Sequence, residues 1–142
     1  MAATLLAASS PARPRPATPA AVWAGRVLSG LAALFLGVNA LVGLLARPEA
    51  VEGTRALGLD PALLLPLGVV QVACLTLYLV PRTAPLGAVL WTGWLGGAVA
   101  THLRLGNPAL THLLFPLYVA VPLWLGLWLR DPRVRAALGP VR

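Results

Sequence analysis

Four side chains in this sequence are equipped for chemistry: Gln71, His102, Arg104 and His112. Histidine titrates nearest neutrality, so it can pass a proton as well as donate or accept a hydrogen bond. Arginine keeps its charge and presents a planar fork of donors to a carboxylate or a headgroup. His102 and Arg104 close one apolar run, and His112 stands in the next, across an Asn107-Pro108 break. That spacing puts both imidazoles at one level of two adjacent helices. Two histidines without a third ligand are weak evidence for a metal, and none is assigned. Cys74 is the only cysteine, so neither an internal disulfide nor a dithiol redox pair can form. Iron–sulfur, haem-type and flavin patterns are missing too, and no cofactor is identifiable from the residues.

The elements that would hold these groups are apolar helices. A hydrocarbon core about 30 Å thick needs roughly 20 apolar residues per helical crossing. Four stretches meet that length without a charge: 27–46, 62–80, 83–103 and 110–129. Inside lipid, runs this solid satisfy their backbone only as helices. Hydrophobic residues make up 58% of the chain, and mean hydropathy is +0.82. The expected fold is all-α, an integral membrane four-helix bundle spanning residues 22–130. Short connections leave no room for a soluble domain, which excludes a soluble enzyme.

All eleven basic residues are arginine. They sit at span ends and tails instead of along one face, so a net charge of +7 points to membrane topology and no nucleic acid is expected. With the N-terminus cytoplasmic, Arg13, Arg15, Arg26, Arg82, Arg130, Arg133, Arg135 and Arg142 lie inside, while Arg47, Arg55 and Arg104 lie outside. The excess inside sets both termini in the cytoplasm of a multi-pass cell (inner) membrane protein. Residues 1–21 read as a disordered cytoplasmic tail. They lack a basic residue ahead of the short apolar patch 4–8, against a cleaved signal, and their Pro-Arg run suits a transit helix poorly. Residues 131–142 read as a basic tail on the inner surface, its arginines facing anionic headgroups.

Local signals mark the helix ends. Asp60-Pro61, Asn107-Pro108 and Asp131-Pro132 each set a capping side chain before a proline, and Thr83 can cap the third span. Residues 48–58 suit a short interfacial helix. Pro66, Pro116 and Pro122 lie within spans, where they should kink the helix.

At ~100° per residue, Gly93, Gly97, Ala100 and Arg104 share a stripe of the third span. Small residues let helices approach closely, so this stripe is expected to face neighbouring helices. Arg104 would then point inward, to pair with Glu49 or Glu52, or else remain a headgroup contact. Gly97→Leu should accordingly disrupt the bundle. His102 falls opposite, with Trp91, Leu95 and Ala98, as a headgroup contact, a core hydrogen bond, or a ligand or proton site shared with His112. Asn39 shares a stripe with Ala32, Gly43 and Ala46 and is expected at a close helix contact. Gln71 lies in mid-span, where an amide serves as an interhelical hydrogen bond or a ligand contact. Trp23, Trp91 and Trp128 read as interfacial anchors.

The run from Leu90 to Gly106, LWTGWLGGAVATHLRLG, resembles the signature of the DoxX-like family of small bacterial four-helix membrane proteins. The similarity extends to Gly68-Val-Val-Gln71, Tyr78-Leu-Val-Pro-Arg-Thr83, Phe115-Pro116 and the stretch from Trp124 to Arg133. The resemblance implies a membrane bundle, with redox systems as neighbours of related proteins, and assigns no reaction. Two functional readings follow. One is a non-catalytic membrane component that packs against itself or a partner, or binds a lipid-like ligand. The alternative is a redox-associated subunit that binds a quinone near the outer surface through Gln71, His102, Arg104 and His112. Whether the chain is an enzyme stays open. Its partners are the lipid bilayer and either a second copy or a redox subunit.

Overall fold

Proline and short polar side chains start most of the helices. In the computed structural model, which describes residues 17–138, α1 spans Pro19–Leu44, α2 Pro48–Ala56, α3 Leu64–Leu79, α4 Ala84–Arg104, α5 Phe115–Arg130 and α6 Pro132–Leu138. A 3₁₀ turn at Pro61–Leu63 leads into α3, and a π-helical turn at Ala109–Leu113 leads into α5. The described residues contain no strand, and the protein is all-α. Thr18 Oγ1 accepts from the Ala21 N–H at 3.3 Å, and Asp60 Oδ1 from the Ala62 N–H at 2.8 Å. Helix α1 thus begins inside the segment read as a tail, and residues 1–16 of that segment lie outside the described residues.

Two expected caps are spent elsewhere. Thr83 Oγ1 donates to the Leu77 carbonyl at 2.8 Å, closing the turn after α3 without capping α4. Asn107 turns its amide to His102, and the chain behind Pro108 winds loosely before α5 tightens at Phe115. Pro116 therefore falls in the first turn of α5, and only Pro122 lies inside that helix.

The four long helices run alternately up and down, α1 beside α3 and α5, and α4 beside the same two. Helix α2 lies against α1 and α3 at one end, and α6 rests on α5 at the other. Val27, Leu31, Leu34, Val38 and Leu41 form one outward stripe of α1, each more than half exposed. Water would not tolerate such a stripe on every helix, and lipid does. Helix α1, residues 61–79 and residues 109–130 are long and apolar enough to cross a membrane. Helix α4 has 21 residues, but four glycines, two threonines and His102 lower its hydropathy below that of the other three.

At the end shared by the start of α1 and the end of α5, packing is close. A Cβ on Gly25 would sit 2.8 Å from the Gly126 carbonyl oxygen, and one on Gly126 would sit 2.7 Å from the Ser29 nitrogen. Gly87 meets the Tyr78 backbone still more closely. Tyr78 is fully buried there, its hydroxyl 2.9 Å from the Leu123 carbonyl oxygen and 3.0 Å from Ser29 Oγ. Donating to the carbonyl leaves the phenol free to accept from Ser29, so α1, α3 and α5 meet at one oxygen. Below it Asp131 caps α6, and Arg133 donates to both Asp131 carboxylate oxygens and to the Pro81 carbonyl. That clamp ties α6 to the α3–α4 turn.

Candidate functional cavity

Toward the α2 end the same helices diverge around a cavity of about 680 Å³. Its walls are Phe35 and Leu36 of α1, Leu67 of α3, Leu95 of α4, and Phe115 and Val119 of α5. Phe35 and Phe115 meet edge to face with centroids 5.7 Å apart, closing the α1–α5 side. Helix α2 supplies Glu49, Ala50, Gly53 and Thr54 across the mouth. The left-handed Ala46 (φ 45°) and Gly58 (φ 71°) turn the chain sharply before and after it.

Polar groups occupy both levels of this space. His102, Asn107 and His112 line the mouth. Asn107 Nδ2 lies 2.8 Å from His102 Nδ1, so the amide donates and the ring proton sits on Nε2. His112 Nδ1 is 2.8 Å from Thr111 Oγ1, and the two imidazoles stack edge to face at 5.2 Å. Trp91 stands eleven residues before His102 on α4, about 16 Å along the helix axis. Gln71 and Trp91 line the deeper part. Gln71 is only 8% exposed; none of the side-chain hydrogen bonds of the described residues involves it, and its amide keeps some accessible surface. Trp91 is 1% exposed, and its indole N–H is buried without an acceptor. An unpartnered buried donor costs about 1–3 kcal/mol, and the Trp91 N–H carries that cost sealed from the cavity, while the Gln71 amide is the polar group at the deep level that keeps accessible surface.

The structure thus brings Gln71, His102 and His112 to one cavity and leaves Arg104 outside it. Arg104 is exposed, and its Nη2 donates to the Leu57 carbonyl at 2.8 Å. The expected pairing with Glu49 or Glu52 does not occur; the cation nearest Glu49 is Arg47, at 4.0 Å. The reason is the phase of α4. Trp91, Leu95, Ala98 and His102 face inward, while Gly93, Gly97 and Ala100 are exposed, and a Cβ on either glycine would meet nothing within 4 Å. Periodicity grouped the residues correctly, but the large side chains of α4 fill the interior and its small ones face out. The close contacts within the chain belong to Gly25, Gly68, Gly87 and Gly126 instead.

Asn39 is likewise not at a tight contact. It lines the cavity and is exposed, and Gly43 on its stripe has open space beside it. Trp91 is a core residue and not an interfacial anchor, whereas Trp23 is 64% exposed, with Arg26 over its ring at 5.3 Å. Sequence reasoning also passed over Asn107 as a partner for His102. The five-residue separation across the α4 terminus was the available signal. Among the described residues no three His, Cys, Asp or Glu side chains gather as a metal site.

An all-α membrane protein whose apolar helices border a half-open, partly polar cavity is the class this geometry defines. The sequence profile of the DoxX-like family matches residues 27–126, and the chain belongs to that family. No curated protein and no solved structure matches it.

Proposed function

We propose that the protein is a four-span membrane component that holds a lipid-like molecule in the cavity beneath α2. The observation that carries this is the cavity itself: about 680 Å³, apolar in its walls, polar at its mouth and deep level. Such a lining suits a small amphipathic molecule. Helix α4 makes the fourth crossing in this reading, since its 21 residues match the length of a span and its neighbours α3 and α5 run beside it. The arginine distribution supports both termini in the cytoplasm of the cell membrane, with α2 and the cavity mouth on the outer side. Binding is preferred to catalysis because the Nδ1 atoms of both histidines are held by Asn107 and Thr111, which leaves only their Nε2 edges at the mouth.

The quinone-binding reading keeps one specific support, the two imidazoles 5.2 Å apart at the mouth, where a ring carbonyl would find a donor and a proton route. A redox subunit would then be the partner, in place of a second copy. One experiment serves both readings: purify the full chain with its native lipid, extract what accompanies it and determine its mass. An enriched amphiphile supports occupancy, a quinone would favour the second reading, and bulk lipid alone would count against both.

A further inference from the structure

We infer that the molecule held in this cavity is uncharged and inserts an oxygen acceptor, a ketone or amide carbonyl, against Gln71 at the deep level. This rests on the occupancy proposed above and adds the chemistry and direction of the occupant. Three observations lead to it. At the mouth, the His102 and His112 Nδ1 atoms already have partners in Asn107 and Thr111. At the deep level, Gln71 of α3 is more than nine-tenths buried, lines the cavity and makes no side-chain hydrogen bond among the described residues, while the indole N–H of Trp91 on α4 is sealed from the cavity. Apart from the histidine Nε2 edges at the mouth, the open hydrogen-bonding capacity is therefore the deep Gln71 amide, whose N–H groups can donate to an acceptor on the occupant. Finally, among the described residues Glu49 is the only Asp, Glu, Lys or Arg that lines the cavity, and it belongs to α2 at the mouth. A carboxylate or ammonium beside Gln71 would be desolvated with no counter-charge, a cost that an uncharged carbonyl avoids.

The arrangement orders binding as polar end first. The carbonyl accepts from the Gln71 Nε2–H, and the hydrocarbon tail lies along Phe35, Leu67, Leu95 and Phe115 toward the opening. Gln71 acts as an anchor, and the histidines leave the bound group untouched.

Three probes of matched chain length test this: 2-decanone, decanoate (ionised at pH 9) and decyltrimethylammonium. Each is titrated into the full chain in lipid nanodiscs, and affinity is read from the rise in melting temperature. The ketone should bind wild type more tightly than either ion, and Gln71→Leu should weaken ketone binding about tenfold, the worth of one neutral hydrogen bond. Gln71→Met, which keeps the side-chain length, repeats the test should the leucine variant fail to fold. Ala98→Trp, which fills the cavity from α4, should abolish the shift without touching the amide. Equal binding of ketone and ions, or ketone affinity unchanged without the amide, would overturn the assignment and leave occupancy standing. If no probe shifts wild type and Ala98→Trp behaves like it, occupancy itself fails.

Discussion

Arg104 Nη2 donates to the Leu57 carbonyl oxygen at 2.8 Å, tying the end of α4 to the turn that leaves α2. A Cβ on Gly58, the next residue, would lie 3.6 Å from the same nitrogen, so the turn and the guanidinium fit together. Because α2 crosses the cavity mouth, this bond holds the cover in place. Arg104→Leu should speed amide exchange in residues 48–57 while changing global stability by about 1 kcal/mol or less, since the bond is exposed. Adding Glu49→Gln should rescue nothing, because Glu49 stands beside Arg47. Exchange unchanged in α2, or rescue by the second change, would show that Arg104 acts elsewhere.

Helix contacts within the chain lie at Gly25 and Gly126, not at Gly97. Gly25→Leu must force α1 from α5 and should cost at least the 1–3 kcal/mol of an overpacked core. Gly97→Leu adds a side chain to open space and should leave thermal stability in detergent near wild type. The reverse order of the two melting temperatures would mean that α4 is rotated from the position described.

Tyr78→Phe removes the oxygen at which α1, α3 and α5 meet and leaves the Leu123 carbonyl and Ser29 hydroxyl without it. A loss of about 1–2 kcal/mol is expected by denaturant titration. Ser29→Ala in the Phe background should cost less than Ser29→Ala in wild type, because the shared bond is already gone.

The clamp at α6 gives a pH dependence with a definite sign. Hydrogen bonding by the Arg133 side chain holds the Asp131 carboxyl below its usual value, against the opposing effect of burial. A depressed carboxyl stabilises the folded form above its unfolded pKa, about 3.9, and loses that contribution as pH falls through the lower folded value. The clamp's contribution should therefore be constant from pH 8 to about 5 and decline below about pH 4. Asp131→Asn should lower stability at pH 7 and flatten the acid limb; an acid limb unchanged from wild type would remove the clamp as its source.

Much of the architecture is legible in residue order because the bilayer imposes a simple rule. Charge-free runs located the four long helices, and Asp60-Pro61 and Asp131-Pro132 marked the starts of the 3₁₀ turn and α6 through real side-chain caps. Proline before Glu49 also marked α2. The rotation of α4 was not legible. In water an apolar stripe identifies the inward face, whereas in lipid both faces are apolar and only size distinguishes them. Gly93 and Gly97 suggested contact, while the burial of Trp91 in a core shared with Ala32, Ala33 and Ala88 is a matter of tertiary fit. The cavity was invisible for the same reason: Gln71, Trp91 and His102 come from two helices, and their shared space exists only once those helices diverge.

Occupancy of the cavity is tested most directly by native mass spectrometry of the full chain released from its own membrane, wild type beside Ala98→Trp. A lipid-like molecule in that space should appear on wild type as one added mass that survives mild activation, and should be absent from Ala98→Trp at equal stability. Bare protein in both, or the same adduct retained when the introduced indole fills the space, would contradict it.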